Sequence, residues 1–224
     1  MTLATWQDLC VDAREPRRMA DFWAAVIGLA PRDGEPPVAL DGPTDGHRVW
    51  VNPVEHPRTA KSRVHLDVYA RAIADLEALG ATVVLPAEES GFGWTVMRDP
   101  EGGELCAFVR EEPPAYRLHG VVVDCADPAA TASWWGDVFG VPVTTHEGHD
   151  WHTLERVTPD EVLTLDFVPV PEPKVGPNPV HWDVQGEVEA LLDAGATRLW
   201  DTGRWTVLAD PEGNEFCVFP PTGR

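Results

Sequence analysis

The sequence predicts an α+β fold built from one unit used twice, and three observations carry that prediction. The chain repeats itself: Asp99-Pro100-Glu101-Gly102-Gly103-Glu104-Leu105-Cys106 returns as Asp210-Pro211-Glu212-Gly213-Asn214-Glu215-Phe216-Cys217, 111 positions on. Trp94-Thr95-Val96 returns as Trp205-Thr206-Val207 at the same offset, and His65-Leu66-Asp67-Val68 as His181-Trp182-Asp183-Val184 at 116. Strand-like and helix-like periodicities follow one another in the same order in both copies. Finally, 224 residues, 43% hydrophobic and 24% charged, suit one large or two ordinary soluble domains and leave ample apolar surface for a core.

In each copy the order is strand, helix, short strands, and then the same again. The first helix starts near Pro16 and carries Met19, Phe22, Trp23 and Val26 at i, i+3, i+4 and i+7, before Gly28 supplies a left-handed cap. Its counterpart has Asp127 as N-cap, Pro128 at the first position, the stripe Thr131, Trp134, Trp135 and Val138, and Gly140 as its end. Shorter helices carry Ile73, Leu76 and Leu79 before Gly80, and Val188, Leu191 and Leu192 before Gly195. Around the repeated histidines alternation is strict. Val64, Leu66 and Val68 oppose His65, Asp67 and Tyr69; Val180, Trp182 and Val184 oppose His181, Asp183 and Gln185. In the closing strands Leu105, Ala107 and Val109 oppose Glu104, Cys106 and Phe108, while Phe216 and Val218 oppose Glu215, Cys217 and Phe219. The apolar faces belong under the helices, which leaves the polar faces for water or a ligand. Asp-Pro-Glu-Gly is a type I turn sequence at both occurrences. Glu111-Glu112-Pro113-Pro114 reads as the linker, giving domains 1–112 and 115–224.

Charge narrows the function. Asp and Glu number 37 against 17 Lys and Arg, a formal charge of -20, which repels nucleic acid and anionic membranes. The longest nearly apolar run, Phe22 to Ala30, is too short for a membrane span or a signal sequence, so a cytoplasmic location is expected. Cys10, Cys106, Cys125 and Cys217 form no Cys-x-x-Cys pair and read as free thiols. The neighbouring Glu104 and Glu215 would raise rather than lower the pKa of Cys106 and Cys217, which argues against nucleophiles. No phosphate loop or dinucleotide fingerprint occurs.

An aromatic pair late in the first helix, His-x-Asp-Val opening the second unit and Asp-Pro-Glu-Gly-x-Glu before the last strand together resemble the vicinal oxygen chelate superfamily. That superfamily includes glyoxalase I, bleomycin-resistance proteins and extradiol dioxygenases, and the nearest resemblance is to its glyoxalase-like branch. The resemblance implies tandem vicinal-oxygen-chelate domains, each of two paired βαβββ modules forming an open, cup-shaped barrel with the ligand in the cup. It also implies that the halves pack as a built-in pseudo-dimer, as a monomer or a homodimer.

In metal-dependent members a divalent ion is held by His, Gln or Glu from the first and last strands of the paired modules. Here that pattern falls on His65 and His181, but on Cys106 and Cys217 where carboxylates are expected. On the first strand it falls on Asp8 in one copy and Gly120 in the other, with Gln7 and His119 one residue away on what alternation makes the wrong face. No metal cofactor is therefore expected. The alternative is zinc, nickel, manganese or iron on Asp8, His65 and Glu104.

The leading expectation is a protein that binds a small hydrophobic or aromatic molecule, by sequestration or for metal-free catalysis; the rival is a metal-dependent lyase, isomerase or dioxygenase. His65 with Asp67 and His181 with Asp183 are the candidate catalytic pairs, each as a general base or polar anchor with an orienting carboxylate, or equally as a structural bridge. Glu104, Cys106, Trp50, Trp94, Glu215, Cys217 and Trp205 are the candidate ligand-binding residues. Ten tryptophans are present, and those facing a cup offer flat surfaces to a planar ligand; alternation puts Trp182 on the helix side instead.

Overall fold

The computed structural model describes residues 2–55, 61–158 and 163–221 and contains four βαβββ modules. The first comprises β1 (Ala4–Ala13), α1 (Pro16–Ile27), β2 (Ala30–Pro31), β3 (Val38–Asp41) and β4 (Val49–Pro53). The second comprises β5 (Val64–Ala70), α2 (Ile73–Ala78), β6 (Thr82–Leu85), the single turn α3 (Ala87–Ser90), β7 (Thr95–Arg98) and β8 (Glu104–Val109). The third contains β9 (Leu118–Cys125), α4 (Pro128–Phe139), β10 (Val143–Thr145), β11 (His152–Leu154) and β12 (Thr164–Pro169). The fourth contains β13 (Val180–Gly186), α5 (Val188–Asp193), β14 (Thr197–Asp201), β15 (Thr206–Ala209) and β16 (Glu215–Phe219).

These modules make two eight-stranded sheets, ordered β14-β15-β16-β13-β1-β4-β3-β2 and β10-β11-β12-β9-β5-β8-β7-β6. Sequence reasoning expects the two modules of one repeat to share a cup. The structure instead pairs the first module with the fourth and the second with the third. At the junctions β1 runs antiparallel to β13, with Leu9 opposite Trp182, and β5 runs antiparallel to β9, with Leu66 opposite Val121.

The linker explains the second junction. Arg117 lies against the C-terminal end of α1, where its amide donates to the Ile27 carbonyl (2.7 Å) and its guanidinium to the Val26 carbonyl (2.7 Å) and the Ala25 carbonyl. Those carbonyls have no partner inside the helix, so the arginine satisfies acceptors that the fold must satisfy somehow. Its own carbonyl then takes the Tyr69 amide (2.8 Å), which delivers β9 to the free edge of β5. Gly28 makes this approach possible. It has φ 87°, and a Cβ there would lie 1.9 Å from the Ala115 carbonyl oxygen.

Both long helices follow the expected stripes. Asp127 caps α4, accepting the Ala130 amide at 3.0 Å. Trp23 and Trp135 are buried, as is Trp182 on the helix side of its sheet, while Trp134 is half-buried and donates its indole N–H to the Ala194 carbonyl at 2.8 Å. The core is continuous between the sheets, because α1 also touches β5 and α4 also touches β1. Val109 departs from the pattern: at the end of β8 it is 56% exposed.

The repeated acidic turn does more than reverse the chain. Asp99 and Asp210 each accept two amides within their own turns, from Glu101 and Gly103 (both 2.8 Å) and from Glu212 (3.0 Å) and Asn214 (2.8 Å). The next acidic residue reaches the other sheet. Glu101 accepts the Arg14 and Glu15 amides (3.0 and 2.8 Å) at the start of α1, and Glu212 accepts the Ala126 and Asp127 amides (2.8 and 2.5 Å) at the start of α4. A carboxylate at a helix N-terminus is favoured by both hydrogen bonding and the helix dipole. In α1 this replaces the missing cap, because Glu15 makes no side-chain capping bond.

Glu101→Ala and Glu212→Ala should each lower unfolding free energy in urea by about 1–2 kcal/mol, against no change for Glu111→Ala; equal stability in all three would contradict the clasp. A fragment ending at residue 112 leaves β1 and β5 without their antiparallel partners and should dimerise or aggregate in light scattering. A stable folded monomer would contradict the pairing.

Candidate functional site: two cups lined by both repeats

Each sheet curves around one cup. The His65 cup has a volume of about 650 Å³, and its walls include His65, Asp67, Trp94, Glu104 and Cys106 from the first repeat with His119, Trp151 and Asp166 from the second. The His181 cup, about 780 Å³, is lined by Asp8, Cys10 and Trp50 from the first repeat and His181, Asp183, Trp205, Glu215 and Cys217 from the second. Every residue that sequence reasoning singles out for a site therefore lies in a cup. The alternative metal set does not come together, however. Asp8 lies in one cup while His65 and Glu104 lie in the other, because β1 and β5 belong to different sheets.

Strand register places the polar groups. Asp67 lies opposite Cys106 on one side and Gly120 on the other; Asp183 lies opposite Cys217 and Asp8. One residue in each junction escapes the alternation. The ladder slips at Gln7 in β1 and at His119 in β9, and the bulge turns both side chains into the cups. A bulge carries no signature in the hydrophobic pattern, which is why alternation assigns both residues to the wrong face.

In the His65 cup, one wall is a run of rings. Trp94 stacks on Phe92 (4.8 Å between centroids) and on Phe108 (5.3 Å), Phe108 meets His119 edge-on (4.7 Å), and His119 stacks on Tyr69 (4.1 Å). Arg110 covers the far face of Tyr69 at 3.8 Å. Opposite stands Trp151, stacked on His146 at 3.5 Å. At the floor, burial biases the groups toward their uncharged forms. It lowers the pKa of His65, lowers that of His119 to about 4, and raises that of Asp67 well above the usual carboxylate range, with Asp166 adding to the last. Asp166 is also raised by burial, opposed by the Thr153 and Thr164 hydroxyls, each donating at 2.6 Å. Nε2 of His65 and Oδ1 of Asp67 are 3.6 Å apart, too far for the orienting hydrogen bond expected of a His–Asp pair.

In the His181 cup, Glu215 is committed to structure: it pairs with Lys174 (2.7 Å) and accepts the Asn178 amide (3.1 Å). Trp50 donates its indole N–H to Asp8 (3.2 Å), and Trp205 stacks on Phe219 (5.3 Å). The Cys10 thiol donates to Asp183 at 3.5 Å. All four cysteines are buried and free. Burial first, then the adjoining Asp67 or Asp183, raises the thiols of Cys106 and Cys217 and leaves them poor nucleophiles.

Two donor trios could hold a metal ion, His65 with Asp67 and Cys106, and Cys10 with His181 and Asp183; within each, ligand atoms lie within 4.8 Å of one another. The mixture of imidazole, carboxylate and thiolate suits zinc. Oδ1 of Asp67 and Oδ1 of Asp183 are buried without a hydrogen-bond partner.

A family model for the glyoxalase-like domain matches residues 8–108 and again 120–219, so the chain belongs to that family, within the vicinal oxygen chelate superfamily. Glyoxalase I from Zea mays superposes with a TM-score of 0.66 at 12% identity, over 97% of this chain and 92% of that one. The cppA protein from Streptococcus pneumoniae TIGR4 gives 0.52 at 9% identity, over 98% and 99%. Identities this low establish the fold alone. No curated protein matches the sequence.

The His181 cup yields a pH prediction. Burial pushes the Asp183 carboxyl up to about 6, from 3.8. The folded state thus keeps a proton that the unfolded chain releases, so the contribution of this group to stability falls between about pH 4 and pH 6 and is level above. Asp183→Asn should gain several degrees in Tm relative to the parent across that window. A difference that does not vary with pH would contradict the assignment.

Proposed function

We propose that the protein binds a small, flat, hydrophobic or aromatic molecule in the His65 cup without a metal ion, for sequestration or for metal-free catalysis. The observation that carries this reading is the ladder of rings on one wall faced by Trp151 on the other, over a floor whose titratable groups are biased to their neutral forms. Stacking and apolar burial supply affinity, while an imidazole and a carboxyl, both biased by burial toward their neutral forms, fix orientation by hydrogen bonds to a ligand oxygen or nitrogen. The neutral His65 is also able to accept a proton, so the same pocket serves either role. The cross-repeat sheets make the chain its own pseudo-dimer, which allows it to work as a monomer, and the buried free thiols suit the cytoplasm.

A second reading, a metal-dependent lyase, isomerase or dioxygenase, is favoured by one observation: the unsatisfied carboxyl oxygens of Asp67 and Asp183 sit inside donor trios. There His65, Asp67 and Cys106 would hold the ion, which would supply Lewis-acid polarisation of a ligand oxygen.

The two are separated by titrating tag-free protein with the neutral probe N-phenyl-1-naphthylamine. Saturable binding that survives EDTA and weakens about ten-fold in Trp94→Ala is the expected result. Binding that needs added zinc and vanishes in His65→Ala would favour the metal reading. No saturable binding would remove the first.

A further inference from the structure

We infer that the His181 cup is a separate site for an organic cation, a protonated amine carried on an apolar or aromatic group. This goes beyond the reading above, since it concerns the other cup and other residues. Asp8 and Asp183 face each other across the β1–β13 junction and are only 6% and 5% exposed. Asp183 Oδ1 is buried with no hydrogen-bond partner, and Asp12, two residues beyond Cys10, lines the same cavity. Two buried carboxyls side by side favour a compensating charge, and the chain supplies it only in part: Arg48 acts on Asp8 and His181 on Asp183 through space, without an ion pair to either from Arg48. Arg48, on the cup wall, is bonded to Asp41 (3.2 Å) and Asp45 (2.6 Å), Lys174 to Glu215 (2.7 Å), and Arg204 reaches the cup wall from the exposed turn between β14 and β15. Among the described residues no Lys or Arg forms an ion pair with Asp8 or Asp183.

The walls suit such a ligand. The Trp50 indole is tied to Asp8 and so stands beside the acidic floor. Trp205 backed by Phe219 forms another face, and Trp200, 54% exposed, stands at the mouth. An ammonium between carboxylates and indole faces gains ion pairing and cation–π attraction in one place, and its N–H satisfies the unpartnered oxygen.

The other cup provides an internal comparison. The registers of the two junctions put Gly120 where this cup has Asp8, and Asp166 where it has Trp50. There the carboxylate is served by two threonine hydroxyls of the chain itself, both at 2.6 Å. Asp67 there and Asp183 here each keep a buried carboxyl oxygen without a partner, but the second acid differs: Asp166 is met by two hydroxyls, whereas Asp8 stands beside the Trp50 indole.

The test is calorimetric titration with phenethylammonium and with its neutral analogue 2-phenylethanol. Phenethylammonium is expected to bind one-to-one, at least ten-fold tighter than the alcohol, and to lose ten-fold or more in affinity in Asp183→Asn and in Asp8→Asn. The surface variant Glu77→Gln should bind it like the parent, which separates the cup from general attraction to an acidic protein. Retained N-phenyl-1-naphthylamine binding by the two cup variants shows that they are folded. Equal affinity for amine and alcohol, or amine affinity unchanged in both Asp variants, would overturn the inference. So would stoichiometric zinc binding lost in Cys10→Ser by a protein that does not take the amine. Each of these outcomes leaves the naphthyl probe result, and with it the reading of the His65 cup, standing or falling on its own.

Discussion

The antiparallel pairing of β1 with β13 and of β5 with β9 is the constraint on which the rest depends. All four are central strands, and their backbone groups have no other way to be satisfied in a buried sheet. The pairing makes one core out of two repeats, because α1 and α4 then lie between the sheets and each touches the central strand of the other sheet. It also fixes the composition of both cups. Asp67 meets Gly120 and Asp183 meets Asp8 only because their strands come from different repeats, so neither site exists in half of the chain.

Much of this was legible in the sequence. The helix stripes, the caps Asp127, Gly28 and Gly140, and the cup-facing histidines follow from spacing alone, since local periodicity reports which face is buried. Which module pairs with which does not, because every module presents a similar alternating strand to its neighbour. The deciding contacts, Arg117 on the end of α1 and Glu101 and Glu212 on the starts of α1 and α4, are single polar residues in loops, with nothing in the sequence naming their partners. The recurrence of Glu101 as Glu212 did carry a signal. A hairpin turn requires the Asp, Pro and Gly of that motif but not the Glu, so its presence in both copies pointed to a second task.

At the sites, the side chains that alternation reports were placed correctly, and those that depend on a bulge or on another module were missed. Gln7 and His119 enter the cups through register slips. Asp166, Thr153 and His146 join the His65 cup from the third module, which sequence reasoning assigned to the other half. These additions change the chemistry. Asp166 reinforces the burial that raises the Asp67 carboxyl above the usual carboxylate range, and His119 continues the ring wall. The two cups share a scaffold, and each leaves one carboxyl oxygen unmet, on Asp67 and on Asp183, but they differ in the second acid: Asp166 is held by chain hydroxyls, Asp8 by the Trp50 indole.

The cross-repeat sheets are tested most directly by backbone nuclear Overhauser effects in isotope-labelled protein. The account predicts inter-strand contacts between Leu66 and Val121 and between Leu9 and Trp182, in the antiparallel pattern of those pairs. Contacts joining β1 to β5, and β9 to β13, with none across the two junctions, would contradict it.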